Sequence, residues 1–472
     1  MKRRVAFQLI PLSVAGLMGS AQKALSHDTL PGKDLATDFT ESLAFHYTEK
    51  VKEMLIWIRT TQLENLQAAS AAIARTVKNG NQCWCSWDMG HSFEFDIFPN
   101  RNGYPEIFKM GYDPKKTKKG DLFLASIWHA SQEDHEDLDK KDIFVIGGPA
   151  PWGGDAKRGP VTIFESIEDQ RLKPYSDIWI ETNITTLGAV INIPGSYPPL
   201  GPVSGIIGIV TFWMMMADAC RILALDGKSV KVRGDEPRLS GKNITWEKIR
   251  EPIMDNYFEQ IMIKLESIGA EYGYIRKTAK MVVDSILSGG KVWCYSRYLN
   301  SLAVESTLRR GGLFLTQGVY DKDGELKIVM DNLKFEDTSK DIVIMGITKP
   351  DDEVDLRNLD KFRMMGMKVA SIGPMSRSMK QPEGRTVPKE SDIHIGRMID
   401  TYGCYAIPGF DQKVCPATGA LTMHIFWCVC MEIVEGIIQR TGNVPGIGLS
   451  GTIKGYRKLD DFMFMQYYER GY

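Results

Sequence analysis

Apolar residues recur along this chain with two different periods. Over residues 47–78, Leu55, Ile58, Leu63 and Leu66 keep a helical spacing, and Asn79-Gly80 follows as a helix C-terminus requires, so one helix is predicted there. Short apolar runs come next, at 82–86, 106–109, 122–127, 143–146 and 178–181. Another set lies at 292–295, 313–316, 342–347, 367–372 and 393–395, ahead of a closing helix from Thr418 to Thr441. Runs of this length, apolar on consecutive positions and separated by helical or polar stretches, predict strands buried on both faces of a parallel sheet. Ligands of such sheets sit beyond the carboxyl ends of the strands. The strongly apolar run from Gly205 to Ala217 ends at Asp218, too short to span a bilayer, and reads as a buried core helix.

The pattern occurs twice because the sequence does. Ile193-Pro194-Gly195, Pro202, Gly205 and Phe212-Trp213 match Ile407-Pro408-Gly409, Pro416, Gly419 and Phe426-Trp427, all 214 residues on, with Asp218 opposite Glu432. At a spacing of 209, Trp84-Cys85, Ser92, Arg101 and Gly103 match Trp293-Cys294, Ser301, Arg310 and Gly312, with Asp96 opposite Glu305. Ser176-Asp177-Ile178 matches Ser391-Asp392-Ile393 at 215. Small drifts in spacing are what loop insertions leave between two copies of one fold. Residues 36–235 and 240–472 are therefore expected to form two such copies, joined by the polar stretch 225–245.

Composition narrows the function classes. The 472 residues are 43% hydrophobic and 25% charged, which is the make-up of an ordinary folded protein. With 58 Lys+Arg against 59 Asp+Glu no global field draws in nucleic acid, and a nucleic-acid partner is not expected. Lys2-Arg3-Arg4, an apolar stretch from Val5 to Met18 and the small residues Gly19-Ser20-Ala21 have the layout of a cleaved export signal over 1–21. The Arg pair resembles a twin-arginine signal, whose usual Phe two residues after the pair is here Ala6, with Phe7 one place later. A periplasmic or secreted protein with no transmembrane segment in the mature chain follows; a plain N-terminal amphipathic helix on a cytoplasmic protein is the alternative. The pairs Cys83/Cys85 and Cys428/Cys430 lie in apolar runs and read as small buried side chains, with no metal site expected.

The order of features resembles the sugar isomerase (SIS) phosphosugar-binding family. Carrying the resemblance are Gly90-His91-Ser92 after the first strand, and the acid and Arg-x-Gly that follow, Asp96, Arg101 and Gly103, with Glu305, Arg310 and Gly312 in the second copy. The Asp-Ile strands at Asp177 and Asp392 and the helix starts Gly201-Pro202-Val203-Ser204 and Pro416-Ala417-Thr418 complete it. The resemblance implies two tandem doubly wound α/β domains, each a five-stranded parallel sheet flanked by helices. It further implies an internal pseudo-dimer open to homo-oligomer formation and a sugar or sugar-derivative ligand at the strand ends near the interface of the repeats; no cofactor is expected, since neither Gly147-Gly148 nor Gly446-Ile447-Gly448 opens a dinucleotide-binding loop. The family's Ser-rich phosphate loop is missing: its places read Ser126-Ile127-Trp128-His129-Ala130-Ser131 and Thr348-Lys349-Pro350-Asp351-Asp352. Two aspartates repel a phosphate carrying about two charges, so an unphosphorylated sugar fits better.

Candidate chemistry follows from these places. His91, with an unperturbed pKa near neutrality, suits acid–base work on a sugar ring, or simply holds its loop. Asp96 and Glu305 are the carboxylates that would move a proton between C1 and C2 of an aldose; ion pairs to Arg101 and Arg310 are their structural alternative. Ser92, Ser126, Ser301, Thr348 and Lys349 offer hydroxyl and ammonium contacts, and Trp128 offers a stacking face for a sugar. Ser204 and Thr418, two residues after a proline, are expected as helix N-caps open to a ligand. Asp218 and Glu432 are expected on the solvent side or at an interface, and His394 and His424 as partly buried histidines with satisfied hydrogen bonds. Three functions stand against one another: a sugar-binding protein without turnover, an aldose–ketose isomerase using a carboxylate or His91, and a structural pair whose site has closed.

Overall fold

The computed structural model describes residues 39–87, 103–111, 113–126, 137–138, 140–147, 176–184, 188–193, 199–234, 250–298, 302–307, 311–330, 333–375, 384–399, 403–448 and 457–472. Two helices open the first unit, α1 (Leu43–Thr61) and α2 (Leu63–Lys78). The Ser42 hydroxyl caps α1 by accepting from Phe45 N at 3.1 Å. The single helix predicted over 47–78 is thus broken at Gln62, whose side-chain oxygen accepts from Asn65 and from the backbone N–H of Glu181. That polar anchor to the chain beyond the sheet replaces helix continuity.

Strands β1 (Cys83–Trp87), β2 (Tyr104–Pro105), β3 (Phe108–Met110), β4 (Leu122–Ser126), β5 (Phe144–Gly147), β6 (Ile178–Trp179), β7 (Ala189–Ile191) and β8 (Leu200–Pro202) follow, then α3 (Ser204–Leu225) and β9 (Val232–Arg233). Five of them form an all-parallel sheet in the order β3-β1-β4-β5-β6. β7–β8 and β2–β9 are small antiparallel pairs.

The second unit runs α4 (Met254–Glu266), α5 (Ile268–Leu287), β10 (Val292–Ser296), β11 (Thr316–Lys322), β12 (Glu325–Ile328), β13 (Ile342–Gly346), α6 (Glu353–Met364), β14 (Lys368–Ile372), α7 (Val387–Glu390), β15 (Ile393–Ile395), β16 (Gly403–Tyr405), β17 (Val414–Pro416), α8 (Thr418–Thr441) and α9 (Arg457–Arg470). Its sheet order is β12-β11-β10-β13-β14-β15, parallel except for the edge strand β12. In both sheets the five parallel strands, counted along the chain, lie in the order 2-1-3-4-5. The strand predicted at 313–316 begins instead at Thr316, because Leu313 pairs with Ile447 outside the sheet. The strand then runs on into a hairpin turned by Asp323 and Gly324, both at positive φ.

Strand alternation sorts side chains into separate cores. Cys83, Cys85, Val292, Cys294, Ile342 and Ile344 point into one large cluster that both units share. Trp84, Phe123 and Val145 close the outer face of the first sheet. Trp293, Tyr295, Val343, Met345 and Phe362 do so for the second. In the shared cluster lie α3 and α8, each long and apolar enough to cross a membrane and each with 89% of its apolar window buried inside the protein. Helix α3 packs on α2 of its own unit and α4 of the other; α8 packs on α5 of its own unit and on α1 and α3 of the other. The cysteines of both Cys-x-Cys pairs are fully buried, and burial pushes their described thiols up, to about 12 for Cys428.

Contacts recur at matched positions. Trp84 Nε1 donates to Asp121 at 3.0 Å, and Trp293 Nε1 donates to Asp341 at 2.8 Å. Asp177 and Asp392 each accept from a neighbouring strand's backbone N–H, of Val145 and Val369, at 2.7 Å. Tyr47 OH donates to Pro202 O at 2.6 Å, and Tyr257 OH to Pro416 O at 3.1 Å. Each unit also reaches across: Gly201 N donates to Gly311 O at 2.9 Å, while Cys415 N donates to Gly103 O at 3.0 Å. Gly201 has φ +86°, and a Cβ there would lie 2.5 Å from the end of Met431 and 2.9 Å from the Tyr47 ring. A Cβ on Gly103 would meet the Gly403 backbone at 2.8 Å. Only glycine permits either approach without displacing a neighbour.

Candidate functional site

In a sheet of order 2-1-3-4-5 the first and third strands leave in opposite directions from a crevice at their carboxyl ends. In the first unit that crevice opens between β1 and β4, whose last residues, Trp87 and Ser126, are paired. In the second it opens between β10 and β13, where Ser296 is paired with Gly346.

The second crevice is built from the end of β10. Ser296 Oγ donates to Tyr298 O at 3.0 Å and accepts from Ala303 N at 2.9 Å, which turns the chain back into a short helical turn at 302–307. Thr307 Oγ1 donates to Ala303 O and accepts from the N–H of Gly318, fixing the segment against the middle of β11. Leu302 covers Gly346, where a Cβ would sit 2.8 Å from its side chain. Glu305 belongs to this segment; it is buried, and its charge contributes to the raised pKa of Tyr47, a residue of the first unit whose main perturbation is burial. A sequence-predicted site carboxylate therefore lies at the junction of the two units.

Beyond β13 the chain runs through half-buried Thr348 and Lys349 to α6. Asp352 is the N-cap of that helix, accepting from Val354 N at 3.0 Å and Asp355 N at 3.3 Å. Its other oxygen meets Arg297 Nη1 at 2.5 Å. Burial opposes the Arg297 charge, but Asp352, with Tyr298, Asp355 and Tyr295 adding to it, offsets that cost and holds the guanidinium pKa above its usual value. The guanidinium also lies over the Tyr298 ring. A helix N-terminus is where an anionic ligand would be held; here the chain's own carboxylate occupies it and is neutralised by the chain's own arginine. Beneath, Tyr295 OH donates to Asp355 at 3.0 Å, and Asn358 donates to Tyr295 OH and to Asp321.

Ser204 and Thr418 are buried first residues of α3 and α8 and not their N-caps: Val203 and Ala417 hold that position with no side-chain capping bond. The backbone carbonyls just ahead, of Pro202 and Pro416, are engaged instead by Tyr47 and Tyr257. These tyrosines were missed in the sequence, although they stand 210 residues apart and a longer repeat search would have paired them. Asp218 and Glu432 are both buried at an interface, neither on the solvent side. His394 Nδ1 bonds Ser371 at 2.8 Å and His424 Nε2 bonds Thr48 at 3.0 Å, while the remaining ring nitrogen of each makes no hydrogen bond among the described residues. Burial lowers their pKa values to about 4 and about 3, so both are neutral at pH 7. His91, Ser92, Asp96, Arg101, Trp128, Ser301 and Arg310, and the segment 1–21, lie outside the described residues.

No family model matches the chain, and no curated protein does. Among solved structures it is similar to a proposed phosphosugar isomerase from Clostridium difficile 630, at 10% identity and a TM-score of 0.45, over 88% of this chain and 97% of that one. A proposed sugar-binding protein from Salmonella typhimurium LT2 gives 8%, 0.42, 83% and 98% for the same quantities. The C-terminal domain of glucosamine-fructose-6-phosphate aminotransferase from Francisella tularensis gives 10%, 0.38, 84% and 94%.

Proposed function

We propose that this chain is a carbohydrate or carbohydrate-derivative binding protein of SIS type, built from two copies of one domain that form an internal pseudo-dimer. The observation that carries the reading is that both sheets have the 2-1-3-4-5 order, and that Ser126 in one and Thr348 with Lys349 in the other stand at the strand ends flanking the crevice. The matched Trp–Asp, Tyr–Pro and cross-unit glycine contacts support descent of the two units from one fold. Ser92, Arg101 and Trp128 would complete the first crevice, Ser301 and Arg310 the second, with Ser204 and Thr418 at the helix starts facing the interface. The Asp352–Arg297 pair at the head of α6 favours an unphosphorylated ligand. A thermal-shift panel of free sugars, amino sugars, sugar acids and their phosphates tests this, since a ligand of the native state raises its melting temperature. Free sugars are expected to stabilise the protein; stabilisation by phosphates alone would overturn the choice of ligand.

The burial of Glu305 at the junction favours one further reading, an aldose–ketose isomerase in which Glu305, Asp96 or His91 is the base. Conversion of the bound sugar should then fall at least about a hundredfold in Glu305→Gln or in one of the other two variants, with binding retained. Residues 1–21 would export the folded chain; fractionation of cells carrying Arg3→Lys with Arg4→Lys should find the protein retained in the cytoplasm, and unchanged export would refute a twin-arginine route.

A further inference from the structure

Between α5 and α8, on the side away from the strand ends, lies a cavity of about 220 Å³. One face of α5 supplies Arg276, Ala279, Lys280, Val283 and Asp284, and one face of α8 supplies Glu432, Gly436 and Arg440. Gly436 stands one helical turn from each of the other two α8 residues, so the absence of a side chain there leaves the space between a carboxylate and a guanidinium. Glu432 is 1% exposed. Its Oε2 accepts from Tyr272 OH at 3.0 Å, while Oε1 makes no hydrogen bond among the described residues. Burial pushes this carboxyl up to about 7, and above that pH Oε1 is a buried acceptor without a donor, which is costly unless something fills the place.

The matched position in the first unit is closed. Asp218 is held by Arg221, Nε to Oδ1 at 2.6 Å and Nη2 to Oδ2 at 3.3 Å, and it also accepts from Ile253 N. Glu435 stands 214 residues after Arg221, so α8 lacks the arginine that would seal Glu432 in the same way. At the outer end, Asp284 is paired with both Lys280 and Arg440. The lining thus holds three cationic side chains against two acids, with a spare acceptor at the deep end once Glu432 is ionised and methyl walls from Ala279 and Val283.

We infer that this cavity is a second ligand site, taking a small carboxylate that bears a hydroxyl or ammonium group on the neighbouring carbon. The ligand's carboxylate would meet Arg276 and Arg440, and its hydroxyl or ammonium would donate to Glu432 Oε1. Glu432 also faces Tyr272 and Arg276 of α5, Glu435 of its own helix and the N-terminal turn of α1 at Ala44, so occupancy would bear on the contact between the units. The inference is independent of the carbohydrate reading, since none of its residues belongs to either crevice.

The test is a thermal-shift and calorimetric titration of the full chain with D-glycerate and, separately, L-serine, each up to about 10 mM. Saturable binding of either supports the site, glycerate marking a hydroxy acid and serine an amino acid. Binding by neither overturns it. Glu432→Gln should weaken the dissociation constant at least tenfold, and Ala279→Leu, which fills the cavity with an apolar side chain, should abolish binding. If Glu432→Gln does not fold, Ala279→Leu decides alone. Binding undiminished in the folded variants, or lost in Thr348→Ala, would place the ligand elsewhere and refute the assignment.

Discussion

Glu432 gives the fold a measurable dependence on pH. Burial, chiefly, with the neighbouring Glu435 adding to it, raises its carboxyl from 4.5 to about 7 in the folded chain. The neutral form is therefore favoured in the native state, which binds more protons than the unfolded state between those two values. Stability from this group is fully present below pH 4.5 and is lost as pH rises through 7. The gap corresponds to about 3 kcal/mol. The site is 1% exposed, so solvent screening reduces it little. Glu432→Gln keeps the acceptor for Tyr272 and removes the titration. Urea unfolding of both proteins across pH 4.5 to 8 should find their difference moving by about 3 kcal/mol in favour of the variant as pH rises, with the other carboxylates cancelling. Curves parallel to within about 0.5 kcal/mol would refute the argument, because a solvated or ion-paired Glu432 would titrate near its ordinary value.

Other perturbations test other links. Asp341→Ala strands both the Trp293 indole N–H and the Lys291 backbone N–H, and should cost about 3 kcal/mol by urea unfolding; a loss under about 1 kcal/mol would contradict the assigned bonds. Gly201→Ala should cost about 2–4 kcal/mol, since it adds a clash with Tyr47 and Met431 to a positive φ. At Gly80, with φ +75° and open space around it, the same change should cost only about 1 kcal/mol. Equal losses at the two sites would refute the close approach. Asp352→Gly frees Arg297 and the head of α6, and should create inorganic phosphate binding detectable by calorimetry that the native chain lacks; no gain would mean that the pair is not what excludes an anion.

Much of the fold was legible in the apolar pattern. The apolar runs at 122–127, 342–347 and 393–395 and the helix from Thr418 to Thr441 were placed within a residue or two, since strands buried on both faces leave an unmistakable apolar signal. What escaped was set by polar side chains acting at long range. Gln62 breaks its helix to hold Glu181, which no local pattern announces. The hairpin at Asp323-Gly324 carried a turn signal that went unused, hidden behind a polar edge strand. For the candidate site, the sequence located Thr348, Lys349 and Asp352 at a strand end and named the aspartates as hostile to phosphate. It could not reveal that Asp352 caps α6 while paired with Arg297, because that contact joins residues from two different strand ends. Ser204 and Thr418 looked like caps from the preceding prolines, yet the helix geometry moves the cap one residue earlier, to side chains that cannot accept a hydrogen bond.

The most direct test of the central claim is a crystal structure of the chain bound to the free sugar that raises its melting temperature most. The sugar is expected at the carboxyl ends of β1 and β4 or of β10 and β13, with Asp352 still capping α6 and bound to Arg297. A sugar bound away from both crevices, or a phosphate seated on the head of α6 in place of Asp352, would contradict it.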